Sequence, residues 1–157
     1  MMAAMPLRCA SWYRQVGILL LLAVVTAALY LPVLHHDFIA LDDSEYVVDN
    51  TYVRDGLTVE SVRWAWTTTF LDNWHPLTWM SHMLDVQLFG LNPGAHHAVN
   101  VLLHIFNAIV LCCVLHAMTK DFWPSAFVAA LFALHPLRIE SVAWVSERKD
   151  VLSTLFG

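Results

Sequence analysis

Residues 16–34 run for 19 positions without a formally charged side chain, and most of them are Leu, Ala or Val. A helix of that length is close to the roughly 30 Å of hydrocarbon in a bilayer. Lipid offers no partner to a free peptide N–H or C=O, so a single segment that crosses it must be helical. Residues 98–118 repeat the pattern with 21 uncharged positions. A third apolar run, residues 122–137, follows a short break at Thr119, Lys120 and Asp121. Apolar residues make up 59% of the chain and charged residues 13%, against roughly 45–50% and about 25% in soluble domains. The expectation is an all-α integral membrane protein with three transmembrane helices and, at residues 151–157, the start of a fourth. A chain that stops inside a span reads as a piece of a longer protein.

Orientation follows from the flanking charges. Arg8 and Arg14 precede the first span and acids follow it, which predicts a cytoplasmic N-terminus at residues 1–15. A cleaved signal peptide, cut near Thr26-Ala27-Ala28, is the rival reading. The uncharged run is long for one, and Tyr30-Leu31-Pro32-Val33 carries the apolar character past that point. Residues 35–97 and 138–150 then lie on the outer side, with 119–121 as an inner turn. A multi-pass membrane protein fits this pattern.

The first outer segment is acidic. Between His35 and His97 there are nine acidic residues against two basic ones, Arg54 and Arg63. Nucleic acid needs a basic surface, so it is excluded as a partner. Two short helices are predicted here. Thr58 is an N-cap for one. The other starts at Pro76, where a missing N–H costs nothing, and ends at Gly90 before the Asn92-Pro93-Gly94 turn. Trp64, Trp66, Phe70 and Trp74 suggest that the pair lies in the membrane interface.

Three further groupings have simple readings. Cys112 and Cys113 sit in an apolar run and pack as small hydrophobes, and with Cys9 they form no disulfide or zinc spacing. Asn100, His104 and Asn107 share one face of the second span, which points to hydrogen bonds between helices. His75, Trp79 and His82 share a face of the Pro76 helix and with Asp85 are a candidate metal set, though packing is the favoured reading. His96-His97 is a weaker pair, because sequence neighbours diverge on a helix. No metal ligand is assigned, and a divalent ion is left open.

The chemistry concentrates at the membrane edge. Asp37, Asp42, Asp43 and Glu45 place four carboxylates within ten residues, and like charges so close need water, a cation or a reaction to justify them. Glu140 and a mixed cluster, Glu147-Arg148-Lys149-Asp150, lie on the same side. Transfer of a sugar from a lipid phosphate to a hydroxyl would use one carboxylate as general base. It would use cations on the departing phosphate, for which Arg138, Arg148, Lys149 and His97 are candidates. A solvated loop and a surface ion-pair cluster are the plainer alternatives.

Four strings carry a resemblance: Leu41-Asp42-Asp43-Ser44-Glu45-Tyr46-Val47, Asn73-Trp74-His75-Pro76-Leu77-Thr78-Trp79, His97-Ala98-Val99-Asn100-Val101-Leu102-Leu103-His104, and His135-Pro136-Leu137-Arg138-Ile139-Glu140-Ser141-Val142-Ala143-Trp144. In this order they resemble the membrane O-mannosyltransferase-like proteins with C-terminal tetratricopeptide repeats, with Glu147-Arg148-Lys149-Asp150 closest to the bacterial form. The resemblance implies the N-terminal part of a type C glycosyltransferase (GT-C) fold and a polyprenyl-phosphate sugar donor. It implies transfer, of mannose, to a protein Ser or Thr hydroxyl. Asp42 and Asp43 fall on the family's acidic motif, with Glu140 as the acid of the second outer segment. Later spans and the repeats are not in this sequence, so the chain alone is expected to be inactive. Two alternatives stay open: a non-catalytic membrane scaffold for a repeat protein, and a cation-binding transporter segment using Asp42, Asp43 and His75.

Overall fold

The computed structural model describes residues 6–40 and 42–156. Leu41 of the acidic motif and the side chains of Arg8 and Cys9 lie outside the described residues. Among the described residues all regular structure is helical.

The first long helix, α1, is Pro6–Tyr30, and a 3-10 turn, Leu31–His35, continues it. Pro32 falls at the start of that turn, where its absent N–H is not missed. Together Trp12–His35 is apolar and long enough to cross a membrane. A π-helical turn, Ser44–Val48, and a short helix α2, Thr51–Arg54, lead to α3, Val59–Thr67. Thr58 caps α3 as its sequence predicts, its Oγ1 accepting from Ser61 N–H at 3.0 Å. Helix α4, Pro76–Phe89, starts at the predicted proline and stops at Gly90, whose φ of 63° favours glycine.

Helix α5, Pro93–Thr119, begins earlier than expected. The Asn92-Pro93-Gly94 signal marks a helix start rather than a separate turn: Asn92 Oδ1 accepts from Ala95 N–H, and Pro93 is the first helical residue. His96 and His97 therefore ride on the first turns of α5. A tight reversal, with Lys120 left-handed at φ 61°, sends the chain back through α6, Phe122–Leu134. This helix is three residues shorter than the 122–137 run. Pro136 holds His135 in an extended conformation (ψ 131°) and so ends the helix. A 3-10 turn, Pro136–Arg138, and α7, Ile139–Ala143, continue at an angle of 54° to α6. The described chain ends in α8, Arg148–Phe156.

Among the described residues two helices are long and apolar enough to span a membrane, or three if the bent α6–α7 pair is one span. Their seam is built from small residues. Leu22 of α1, Ala108 and Cys112 of α5, and Ala129 and Ala133 of α6 form one buried cluster. Small side chains let backbones approach closely, which drives helix association where no hydrophobic difference from lipid exists. The polar stripe of α5 completes the seam. Asn100 donates to the Trp144 carbonyl at 3.0 Å, Asn107 to the Val151 carbonyl at 2.7 Å, and His104 Nε2 pairs with the Ala133 carbonyl at 3.1 Å. One face of one helix thus binds the ends of three others.

The second core is built by the segments that link α1 to α5 in sequence, joined by Val145. Tyr46, Val47, Val53, Ala65, Trp79, Met83 and Val145 are buried together. The aromatic residues divide. Trp79 is fully buried, and Trp64 packs between Tyr52 and Trp79 at centroid distances of 4.8 and 5.2 Å. Trp66 and Trp74 remain exposed. A belt of four equivalent rings is therefore not what forms. Trp64 packs inward and Trp66 outward, because the two lie on different faces of α3.

Candidate active site

Asp43 is completely buried, and both of its oxygens are used. Oδ2 accepts from Ile39 N–H at 3.0 Å, which closes the loop after the first span. Oδ1 accepts from Ser146 N–H at 2.8 Å, across 103 residues of chain. The acidic motif and the 138–150 segment, predicted to share a side, are thereby joined. Asp42 is only half-buried and, among the described residues, its carboxylate has no hydrogen-bond partner. The two neighbouring acids differ: Asp43 ties the loop to the segment at Ser146, and Asp42 makes no such bond among the described residues.

Arg148 is also fully buried, and its guanidinium is committed inside the protein. Nε donates to Asn100 Oδ1 at 2.6 Å, Nη1 to Ser81 Oγ at 3.0 Å, and Nη2 to the His96 carbonyl at 2.9 Å. Nη1 also forms an ion pair with Asp85. Burial opposes the charge of both members. It raises the Asp85 pKa, which Arg148 partly restores, and lowers that of Arg148, which Asp85 partly restores. Expected at a phosphate, this side chain is instead a cross-link among α4, α5 and α8.

Lys149 points the other way. It pairs with Glu147 at 2.9 Å and sits 5.5 Å from the centroid of the Tyr46 ring. Partial burial works against its charge, but Glu147, Tyr46 and Asp150 outweigh that, and its pKa is raised. Its side chain borders a cavity of about 280 Å³ whose wall includes Trp66, Trp74, His75 and Thr78. Trp74 Nε1 donates to the Trp66 carbonyl at 3.2 Å, fixing one exposed ring against the other. His75 stacks on Tyr46 at 5.6 Å and packs against Trp79 at 4.9 Å. Burial, helped by Lys149, pushes its pKa down to about 4, so its imidazole is neutral near pH 7. The cleft is thus an aromatic slot with one cation at its edge, beside the loop that Asp43 anchors.

The remaining predicted residues are more dispersed. His97 is buried at the start of α5, edge-on to His36 at 6.3 Å. Arg138 lies at the α6–α7 bend, its guanidinium 4.5 Å from the Phe132 ring centroid. Glu140 is exposed in the first turn of α7. Among the described residues no ion pair links Glu140 or Arg138 to the Asp42–Asp43 motif. The ion-pair reading of the Glu147-Arg148-Lys149-Asp150 cluster fits Glu147 and Lys149, but sequence reasoning missed the pairing of Asp85 with Arg148. An Asp on an otherwise apolar helix, needing a partner if buried, was the available signal for that pairing.

The long apolar helices, their small-residue seam and the polar stripe hidden within it define a helical membrane protein. Its sequence is similar to animal proteins named protein O-mannosyl-transferase. It is 35% identical over 154 residues to TMTC1 of Mus musculus, covering 88% of this chain and 16% of that protein. For TMTC1 of Homo sapiens the identity is 33%, with 88% and 17% covered, and for F38B6.6 of Caenorhabditis elegans it is 30%, with 92% and 22% covered. The chain therefore spans about a fifth or less of the length of these curated relatives. No family model and no solved structure matches it.

Proposed function

We propose that this chain is part of a membrane glycosyltransferase of the GT-C type. It would move a sugar, mannose, from a polyprenyl-phosphate donor to a Ser or Thr hydroxyl of a protein. The observation that carries the reading is the Asp43–Ser146 hydrogen bond. It ties the acidic loop to the segment that leads into Lys149, which supports a base from that loop acting together with the cation at the cleft edge. The names of the similar proteins support the same chemistry.

Asp42 takes the proton of the attacking hydroxyl. The hydroxyl oxygen forms a bond to the anomeric carbon as the bond from that carbon to the phosphate oxygen breaks, with inversion. The leaving polyprenyl phosphate keeps the electron pair, and Lys149 stabilises its charge. Trp66 and Trp74 offer flat apolar faces to the sugar or the first isoprene units. Arg148 positions the segment that presents Lys149, while Arg138, Glu140 and His97 are not among the residues that line the cleft. The prenyl tail stays in lipid, the N-terminus is cytoplasmic, and the acidic loop faces the opposite side of a bacterial inner membrane.

The test is transfer of labelled mannose from a polyprenyl-phosphate donor to a Ser/Thr peptide. The protein is expressed with all of its flanking coding sequence and reconstituted in liposomes. Asp42→Asn should lower turnover about 10²–10⁴-fold while leaving the fold intact. Undiminished transfer by that variant would overturn the assignment of Asp42. No transfer by the unaltered protein would favour a membrane scaffold.

A further inference from the structure

His82, Asp85 and His96 are all buried, and one ligand atom from each lies within 4.8 Å of the others. The first two sit three residues apart on one face of α4, and the third comes from the first turn of α5. Their hydrogen bonding does not close. His96 Nε2 is 3.2 Å from the Gly90 carbonyl, which can only accept, so this nitrogen carries the proton. In the neutral ring Nδ1 is then a lone pair, and it faces Asp85 Oδ2 at 3.5 Å. Arg148 Nη1 serves that same Asp85 oxygen, whereas His96 Nδ1 is buried with no donor facing it among the described residues. His82 is worse served: it is 0% exposed, and among the described residues neither ring nitrogen has a partner.

We propose that His82, Asp85 and His96 bind a divalent transition-metal ion, zinc by the chemistry of the donors, clamping α4 to the start of α5. Two imidazoles and one carboxylate suit a borderline ion, not magnesium or calcium. The separation fits: ligands about 2.0–2.2 Å from a tetrahedral ion lie roughly 3.4 Å apart, close to the 3.5 Å between His96 Nδ1 and Asp85 Oδ2. All three ligand atoms lie within 4.8 Å of one another, so the pairs to His82 close by at most about 1.4 Å to reach that separation. The bond from His96 to Gly90 is the outer support that metal-bound histidines have, fixing the tautomer that presents Nδ1. Gly90 can give its carbonyl this direction because its φ of 63° is open to glycine. Arg148 shares the Asp85 carboxylate as an outer partner. Its charge weakens the affinity relative to a site without a neighbouring cation. The inference does not depend on sugar transfer.

The experiment uses the full chain, purified in detergent with a tag free of histidine, stripped with a chelator and then dialysed against zinc or cobalt(II). The expected result is one zinc per chain by elemental analysis and visible d–d bands of four-coordinate cobalt. Zinc should also raise the melting temperature. His82→Gln and His96→Gln should each abolish the bands, while His116→Gln, away from the cluster, should keep them. Absence of stoichiometric metal and of cobalt bands in the unaltered protein would overturn the proposal, whatever the variants do. So would bands that persist in both His82→Gln and His96→Gln.

Discussion

The carboxylate of Asp43 accepts the backbone N–H of Ser146 at 2.8 Å, while its neighbour Asp42 keeps a carboxylate without a hydrogen-bond partner among the described residues. Substitution should separate the two. Asp43→Ala leaves the Ser146 and Ile39 amides unpaired, at about 1–3 kcal/mol each. The melting temperature in detergent should fall clearly for Asp43→Ala and hardly at all for Asp42→Asn. Sugar transfer should fall for both. Equal melting temperatures for the two variants would contradict this division of labour.

Arg148 and Asp85 form a buried pair whose members are 63 residues apart in sequence, with three further hydrogen bonds to the guanidinium. Removing one partner strands the other charge. Arg148→Met should cost about 3–5 kcal/mol, and the double change with Asp85→Met should cost less than the two single changes summed. Denaturant titration of the four proteins gives the coupling directly. Additive losses would show that the pair does not act as a unit.

Stability should fall in mild acid. His75 has a folded pKa of about 4 and that of His82 is also depressed, both by burial first. The unfolded chain, near 6.5, therefore binds protons that the folded chain refuses. Stability from these groups is fully present above about pH 6.5 and is lost as pH drops towards 4. Melting curves from about pH 7.5 to pH 4.5 should show the decline. His75→Gln should flatten it, and an unchanged slope in that variant would count against the assignment.

Trp74 is exposed, yet its ring is oriented by a hydrogen bond to the Trp66 carbonyl at the mouth of the cleft. Trp74→Ala should leave the fold intact and weaken donor binding by about 0.5–1.5 kcal/mol. In kinetics that is an increase of several-fold in the KM for the lipid donor, with little change in kcat. A variant that loses kcat at unchanged KM would place this ring elsewhere in the reaction.

Local features of the fold were legible because local chemistry makes them. Thr58 and Pro76 start α3 and α4, and Gly90 ends α4, since caps and prolines act within one turn. The Asn100, His104 and Asn107 stripe announced a buried face by its spacing alone. The start of α5 was misplaced because Asn-Pro-Gly serves equally as a turn and as a cap with a first helical proline. The burial of Arg148 is not legible in the sequence for a different reason. A basic residue in a charged stretch looks solvated, and nothing nearby in sequence reveals that Asp85, Ser81 and Asn100 surround it.

The sequence by itself determined that the chain is helical, that at least two of its helices suit a bilayer, and where its acidic and basic groups gather. Those properties are sums over neighbouring residues: length without charge, periodicity, caps. Only the tertiary structure decided which acid is buried and which is available, which cation cross-links helices and which lines the cleft, and which histidines meet. Those outcomes depend on segments that approach from 11 to 103 positions away. Desolvation and hydrogen-bond partners, not residue type, then assign each charge its role.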